Sequence, residues 1–155
     1  MTQDEVLFER LKNVLESPRI ARLVEELRNS LASSSSERKG KKKEGGLAPS
    51  SPPNSLRLFD DVYATCRQCS SRGGEANARG FVQGPPLSVV LCSNRLHDKD
   101  QVEEVLLHEL IHLYDLKVKK LDFSRCSELA YSEVRSNRES ECEFSTIALL
   151  SSACQ

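Results

Sequence analysis

Between Val102 and Leu116 the sequence VEEVLLHELIHLYDL is apolar on nearly every side of a helix. Such a helix has no solvent face to offer, so it must be the buried centre of a fold with other elements packed around it. Two histidines and a glutamate, His108, Glu109 and His112, sit in the middle of it. A buried polar group without a partner costs about 2–7 kcal/mol on transfer scales, so these residues need a reason to be there.

Their spacing supplies one. Residues four apart lie on one helix face, a turn apart. His108 and His112 can therefore converge on a single metal ion. Zn²⁺ takes histidine nitrogens at about 2.0–2.1 Å in tetrahedral geometry. Such an ion lowers the pKa of water toward ~7. Glu109, beside the first ligand, is placed to take that proton and pass it to a leaving amine. The expected chemistry is peptide-bond hydrolysis without a covalent enzyme intermediate. The rival reading is a chance H-E-x-x-H with both imidazoles hydrogen-bonded in the core. The chain has only three histidines, and two fall at this spacing, which favours the metal. His97 sits in a polar connection and reads as a surface residue.

A catalytic zinc site needs a third protein ligand and an open position. No histidine follows His112, so the ligand must be a carboxylate or a thiolate. Glu133 lies 21 positions after His112, in a second helix expected over 127–137. Two antiparallel helices with a short connection would return it to the metal, giving a two-His, one-Glu set. Asp115, one turn past His112, competes for the place or orients a ligand histidine from behind. Glu128 and Cys126 are weaker candidates.

Around this centre the expected elements are modest. Residues 4–31 read as a helical N-terminal extension, broken at Ser17-Pro18 with Ser17 capping the second helix. It is either a docking arm or a helix pair packed on the domain. Residues 32–55 are rich in Ser, Gly, Pro and Lys and read as a flexible linker. Its cluster Lys39, Lys41, Lys42 and Lys43 reads as a solvated charge run. The domain is expected over 56–155. LRLFDDVYATC is strand or short helix. Phe81–Gln83 and Leu87–Cys92 read as two strands joined at Gly84-Pro85-Pro86. The strand Leu87–Leu91 is a candidate to pair with an extended substrate. The active helix should run from about 101 to 118, and the segment from Cys142 to Cys154 is apolar enough for a short helix.

Composition excludes little. A net charge of −1 gives no global reason for nucleic-acid binding. No apolar run reaches the ~18 residues that cross a bilayer. The acidic start MTQDEVLFERLKNVLE resembles neither a secretory signal nor an Arg-rich transit peptide. Six cysteines are compatible with free thiols or with disulfides. Cys66-Arg67-Gln68-Cys69 lacks the second pair that a zinc ribbon requires.

The stretches LCSNRL, VEEVLLHELIHLYD and ELAYSEVRSNRESEC, over roughly 80–142, resemble the mitochondrial inner-membrane metallopeptidases that process ATP synthase subunit 6 and assist assembly of that synthase. The resemblance implies one zinc ion on His108, His112 and Glu133, with Glu109 catalytic. It implies a peripheral protein on the intermembrane-space side of the inner membrane, with a protein substrate such as subunit 6; with a near-neutral charge, no nucleic-acid partner is expected. The chain departs from the family where Leu116 and Lys117 follow Tyr114-Asp115, at Tyr131, and in Glu139-Ser140-Glu141-Cys142. The family continues past the position of Gln155, so the expectation is a domain cut short at its C-terminus. The reading is thus an α+β, zincin-like metalloendopeptidase domain, mostly helical with a small sheet. The alternatives are an inactive assembly factor that keeps the metal site, and a DNA-associated protein acting through Lys39–Lys43.

Overall fold

The computed structural model describes residues 1–35, 53–59, 62–84 and 87–142. Within them the chain is α+β, with four α-helices and one four-stranded sheet. The linker lysines 39–43, Pro85-Pro86 and the expected C-terminal helix beyond Cys142 lie outside the described residues.

Helix α1 (Gln3–Leu15) starts at a capping box. The Thr2 hydroxyl accepts from the Glu5 amide, and the Glu5 carboxylate accepts from the Thr2 amide. Pro18, which has no N–H to lose, begins α2 (Pro18–Ser35). Ser17 sits at the break: its hydroxyl accepts from the Ile20 amide at 3.4 Å and donates to Glu103 at 2.9 Å. Leu7, Leu11, Val14, Ile20 and Leu27 are fully buried and share one cluster with Leu106, Leu110 and Leu113. The two helices are therefore packed on the core, not held out from it.

LRLFDDVYATC forms two strands, β1 (Ser55–Phe59) and β2 (Val62–Arg67), paired antiparallel. β3 (Gly80–Gln83) and β4 (Ser88–Cys92) form the expected antiparallel pair. β4 also pairs with β2 in parallel, giving the order β1-β2-β4-β3. This corrects one expectation. The strand 87–91 has a neighbour on both sides and cannot add a substrate strand; among the described residues the edges are β1 and β3. The reason is legible in burial: every residue of β4 is buried, as befits a central strand. A disulfide between Cys69 and Cys92 ties the end of β4 to the segment after β2. Cys66 is free and buried, and burial pushes its thiol up to about 12. Cys126 is free and exposed.

Helix α3 (Lys99–Lys117) is capped by Asp98, which accepts from the Gln101 amide at 2.8 Å. It is buried between the α1–α2 pair, the sheet and α4 (Cys126–Asn137). Lys119 bonds Tyr131, Asp115 bonds Ser132 and Arg135, and His112 bonds Ser132 and Ser136. That descending register makes α3 and α4 antiparallel neighbours. α4 runs into one turn of π-helix, Arg138–Cys142.

Candidate metal centre and cleft

α3 projects His108 and His112 from one face, and α4 brings Glu133 to meet them. The two Nε2 atoms lie 3.0 Å apart. Glu133 places Oε2 at 3.5 Å from Nε2 of His108 and Oε1 at 3.4 Å from Nε2 of His112. The imidazoles meet edge to face at 81°, so they converge at their nitrogens instead of stacking. A tetrahedral ion with bonds of about 2.0–2.1 Å requires ligand atoms about 3.3 Å apart. The three observed separations bracket that value. The donor set therefore fits a metal ion such as Zn²⁺, with His108, His112 and Glu133 each able to offer one ligand atom.

The far side of His112 fixes its tautomer. Ser132 donates to Asp115 at 2.9 Å, so its oxygen is left to accept from Nδ1 of His112 at 2.8 Å. Nε2 then carries a lone pair toward His108 and Glu133. Burial, with the nearby His108 second, pulls the His112 pKa down and favours the neutral ring, the form that can bind a metal. Asp115 is fully buried and bonded to Ser132 and Arg135, with Lys119 at 3.7 Å. Of its two expected roles, it is placed for support from behind, and Glu133 is placed at the nitrogens. Glu128 pairs with Arg125, Cys126 is exposed, and His97 is exposed and away from the site.

Glu109 is buried beside this group. Burial first, and the charge of Glu133 second, push its carboxyl up to about 7. It faces the start of β3: a Cβ at Gly80 would lie 3.3 Å from Cγ of Glu109 and only 2.6 Å from Val105. Gly80 thus lets the edge strand approach the helix at the level of His108 and Glu109. Beside them opens a cleft whose wall includes Asn77, Arg79, Glu104 and Asn137.

Ser132, Ser136 and Arg135 were not anticipated. Their signal was helical: with Glu133 set toward the metal, residues 132 and 136 fall on the adjacent buried stripe of α4, facing α3.

Comparison with known proteins bears on this arrangement. A profile of the Peptidase M76 family matches residues 50–153. The mitochondrial inner membrane protease ATP23 of Saccharomyces cerevisiae is 40% identical over 88 residues, covering 56% of this chain and 36% of that protein. The protein of that name from Eremothecium gossypii is 39% identical over 88 residues, covering 56% and 33%. The mitochondrial inner membrane protease ATP23 homolog of Danio rerio is 32% identical over 89 residues, again covering 56% and 33%. The aligned part spans about a third of the length of these curated relatives. No solved structure matches the chain.

Proposed function

The chain belongs to the Peptidase M76 family, and from that premise we propose that it is a zinc-dependent endopeptidase with a zincin-like fold. His108, His112 and Glu133 hold the ion, and Glu109 is the general base. The observation that carries this reading is the convergence of three donor groups: the two Nε2 atoms stand 3.0 Å apart, and Glu133 sets one oxygen at 3.4 Å and the other at 3.5 Å, one against each nitrogen, near the ~3.3 Å ligand separation of a zinc tetrahedron.

Bound there, zinc supplies Lewis acidity toward a peptide carbonyl and lowers the pKa of water to ~7. The protein's own groups do the rest. His112, held by Ser132, presents a neutral nitrogen in a fixed direction. Glu109 takes a proton from the attacking water and gives it to the departing amine. The edge of β3, unpaired among the described residues, offers backbone donors and acceptors to an extended substrate, so the scissile bond lies over the centre.

The relatives' names place those proteins at the mitochondrial inner membrane, and we extend that location to this chain as a peripheral protein facing the intermembrane space. Among the described residues no helix is long and apolar enough to cross a membrane. The Cys69–Cys92 disulfide suits an oxidising compartment. A protein substrate such as ATP synthase subunit 6 follows from the resemblance.

The test is hydrolysis of a mixture of quenched fluorescent peptides by the purified chain and by Glu109→Gln. The variant should keep its zinc and lose activity by about 10²–10⁴-fold. A zinc-loaded parent that cleaves nothing would instead support the inactive assembly factor.

A further inference from the structure

Seven side chains and Gly80 line the cleft beside His108 and Glu109, and Val105 is the one apolar side chain among them. Arg79 immediately precedes the edge strand, and Glu104 lies one turn before His108 on the same face of α3. Nη2 of Arg79 donates to Oε1 of Glu104 at 2.8 Å, with the two side chains 40% and 32% exposed. A substrate laid along β3 toward the centre would pass over this pair and cover it.

Covering has a physical consequence. A guanidinium carries five N–H donors, and one of these is engaged by Glu104. An apolar substrate side chain would strip water from the others and offer nothing back, a cost that rejects it. A carboxylate would gain at Arg79 and be repelled by Glu104; an ammonium would meet the reverse. An amide or hydroxyl side chain supplies an acceptor to one partner and a donor to the other. Asn77 and Asn137 extend the same neutral, polar lining.

We propose that Arg79 and Glu104 are the specificity-determining pair of this cleft, selecting a polar, uncharged substrate residue next to the scissile bond. This rests on the peptidase reading above and names its substrate class.

The test uses the zinc-loaded full chain and peptides that differ at one position, carrying Gln, Glu, Lys or Leu there. Each position around the cleaved bond is scanned in turn. At one position the parent should favour Gln over Leu by about tenfold or more in kcat/KM. Glu104→Gln leaves the guanidinium uncompensated and should raise the Glu-to-Lys ratio at that position by about tenfold. Arg79→Gln should lower the same ratio by about as much. The double exchange Arg79→Glu with Glu104→Arg keeps an ion pair and should return the ratio toward the parent's. Zinc content, measured alongside, should not change in any variant.

Opposite shifts in the two single variants support the pair. Shifts of the same sign, or a uniform loss on all four peptides, overturn it by reducing the pair to a structural contact. A parent that cleaves without preference among the four also overturns it, leaving the peptidase reading intact. A parent that cleaves no peptide overturns both.

Discussion

The Ser132 hydroxyl sits between Nδ1 of His112 at 2.8 Å and Oδ2 of Asp115 at 2.9 Å. A buried carboxylate thereby orients the His112 imidazole through an intervening hydroxyl. Arg135 and Lys119 hold the other oxygen of Asp115 and balance its charge inside the protein. Removing Ser132 should leave the zinc ligands in place and loosen the second of them. Ser132→Ala is expected to weaken zinc binding by about 10–100-fold. Titration against a chelator of known affinity reads this directly. Ser136, at 3.3 Å from the same nitrogen, partly compensates, so the double variant with Ser136→Ala should lose more. Unchanged affinity in both would remove the relay from the account.

The shared face of His108 and His112 on α3 and the return of Glu133 on α4 were legible because helical spacing acts locally. His108 and His112 are one turn apart on any helix, and Glu133 needs only a short antiparallel return. The sheet was less legible. β2 and β4 are parallel neighbours separated by a disulfide-tied loop and by β3. No local pattern announces such a crossover. A substrate edge at 87–91 fails for a related reason: the unbroken apolar run at 89–92 signals burial on both faces, hence a central strand. Gly80 in the short β3 was the better edge marker. The supporting serines escaped because a serine on a helix carries no distinctive pattern until its neighbour's role is known.

Gly80 is required by close approach, with no unusual backbone angle involved. A Cβ there would stand 2.6 Å from Val105 Cγ1, 3.1 Å from the Val90 carbonyl oxygen and 3.3 Å from Glu109 Cγ. Gly80→Ala should destabilise the fold by about 1–3 kcal/mol in denaturant titration. It should also lower peptidase activity beyond that loss, because β3 shifts away from Glu109. Gly74→Ala meets nothing within 4 Å and serves as the control.

The Cys69–Cys92 bridge spans 23 residues, and closing a loop of that length contributes about 3 kcal/mol. Reduction, or Cys69→Ser with Cys92→Ser, should lower stability by about that amount. In the folded, unreduced protein, alkylation at pH 8 followed by peptide mapping should label Cys126 quickly. Cys66, buried and pushed up to about 12, should be spared until unfolding. Rapid labelling of Cys66 would contradict its place in the core.

Glu75 offers a pH test away from the centre. The hydrogen bond from Arg67, then that from the Ser70 amide, bring its carboxyl from near 4.5 down to about 2. Its folded pKa is depressed, so the stability it contributes is present above about pH 4.5. That contribution is lost as pH falls toward 2. Glu75→Gln should therefore be less stable than the parent at pH 6, with the gap closing between pH 4.5 and 2. A gap constant across that range would mean that the carboxylate charge does no work there.

The central claim is that His108, His112 and Glu133 hold one ion together, and elemental analysis of the purified, folded protein tests it most directly. The account predicts about one zinc per chain, retained by Glu109→Gln and lost by both His108→Ala and Glu133→Ala. A folded parent without zinc, or a Glu133→Ala variant that keeps it, would contradict the three-ligand centre.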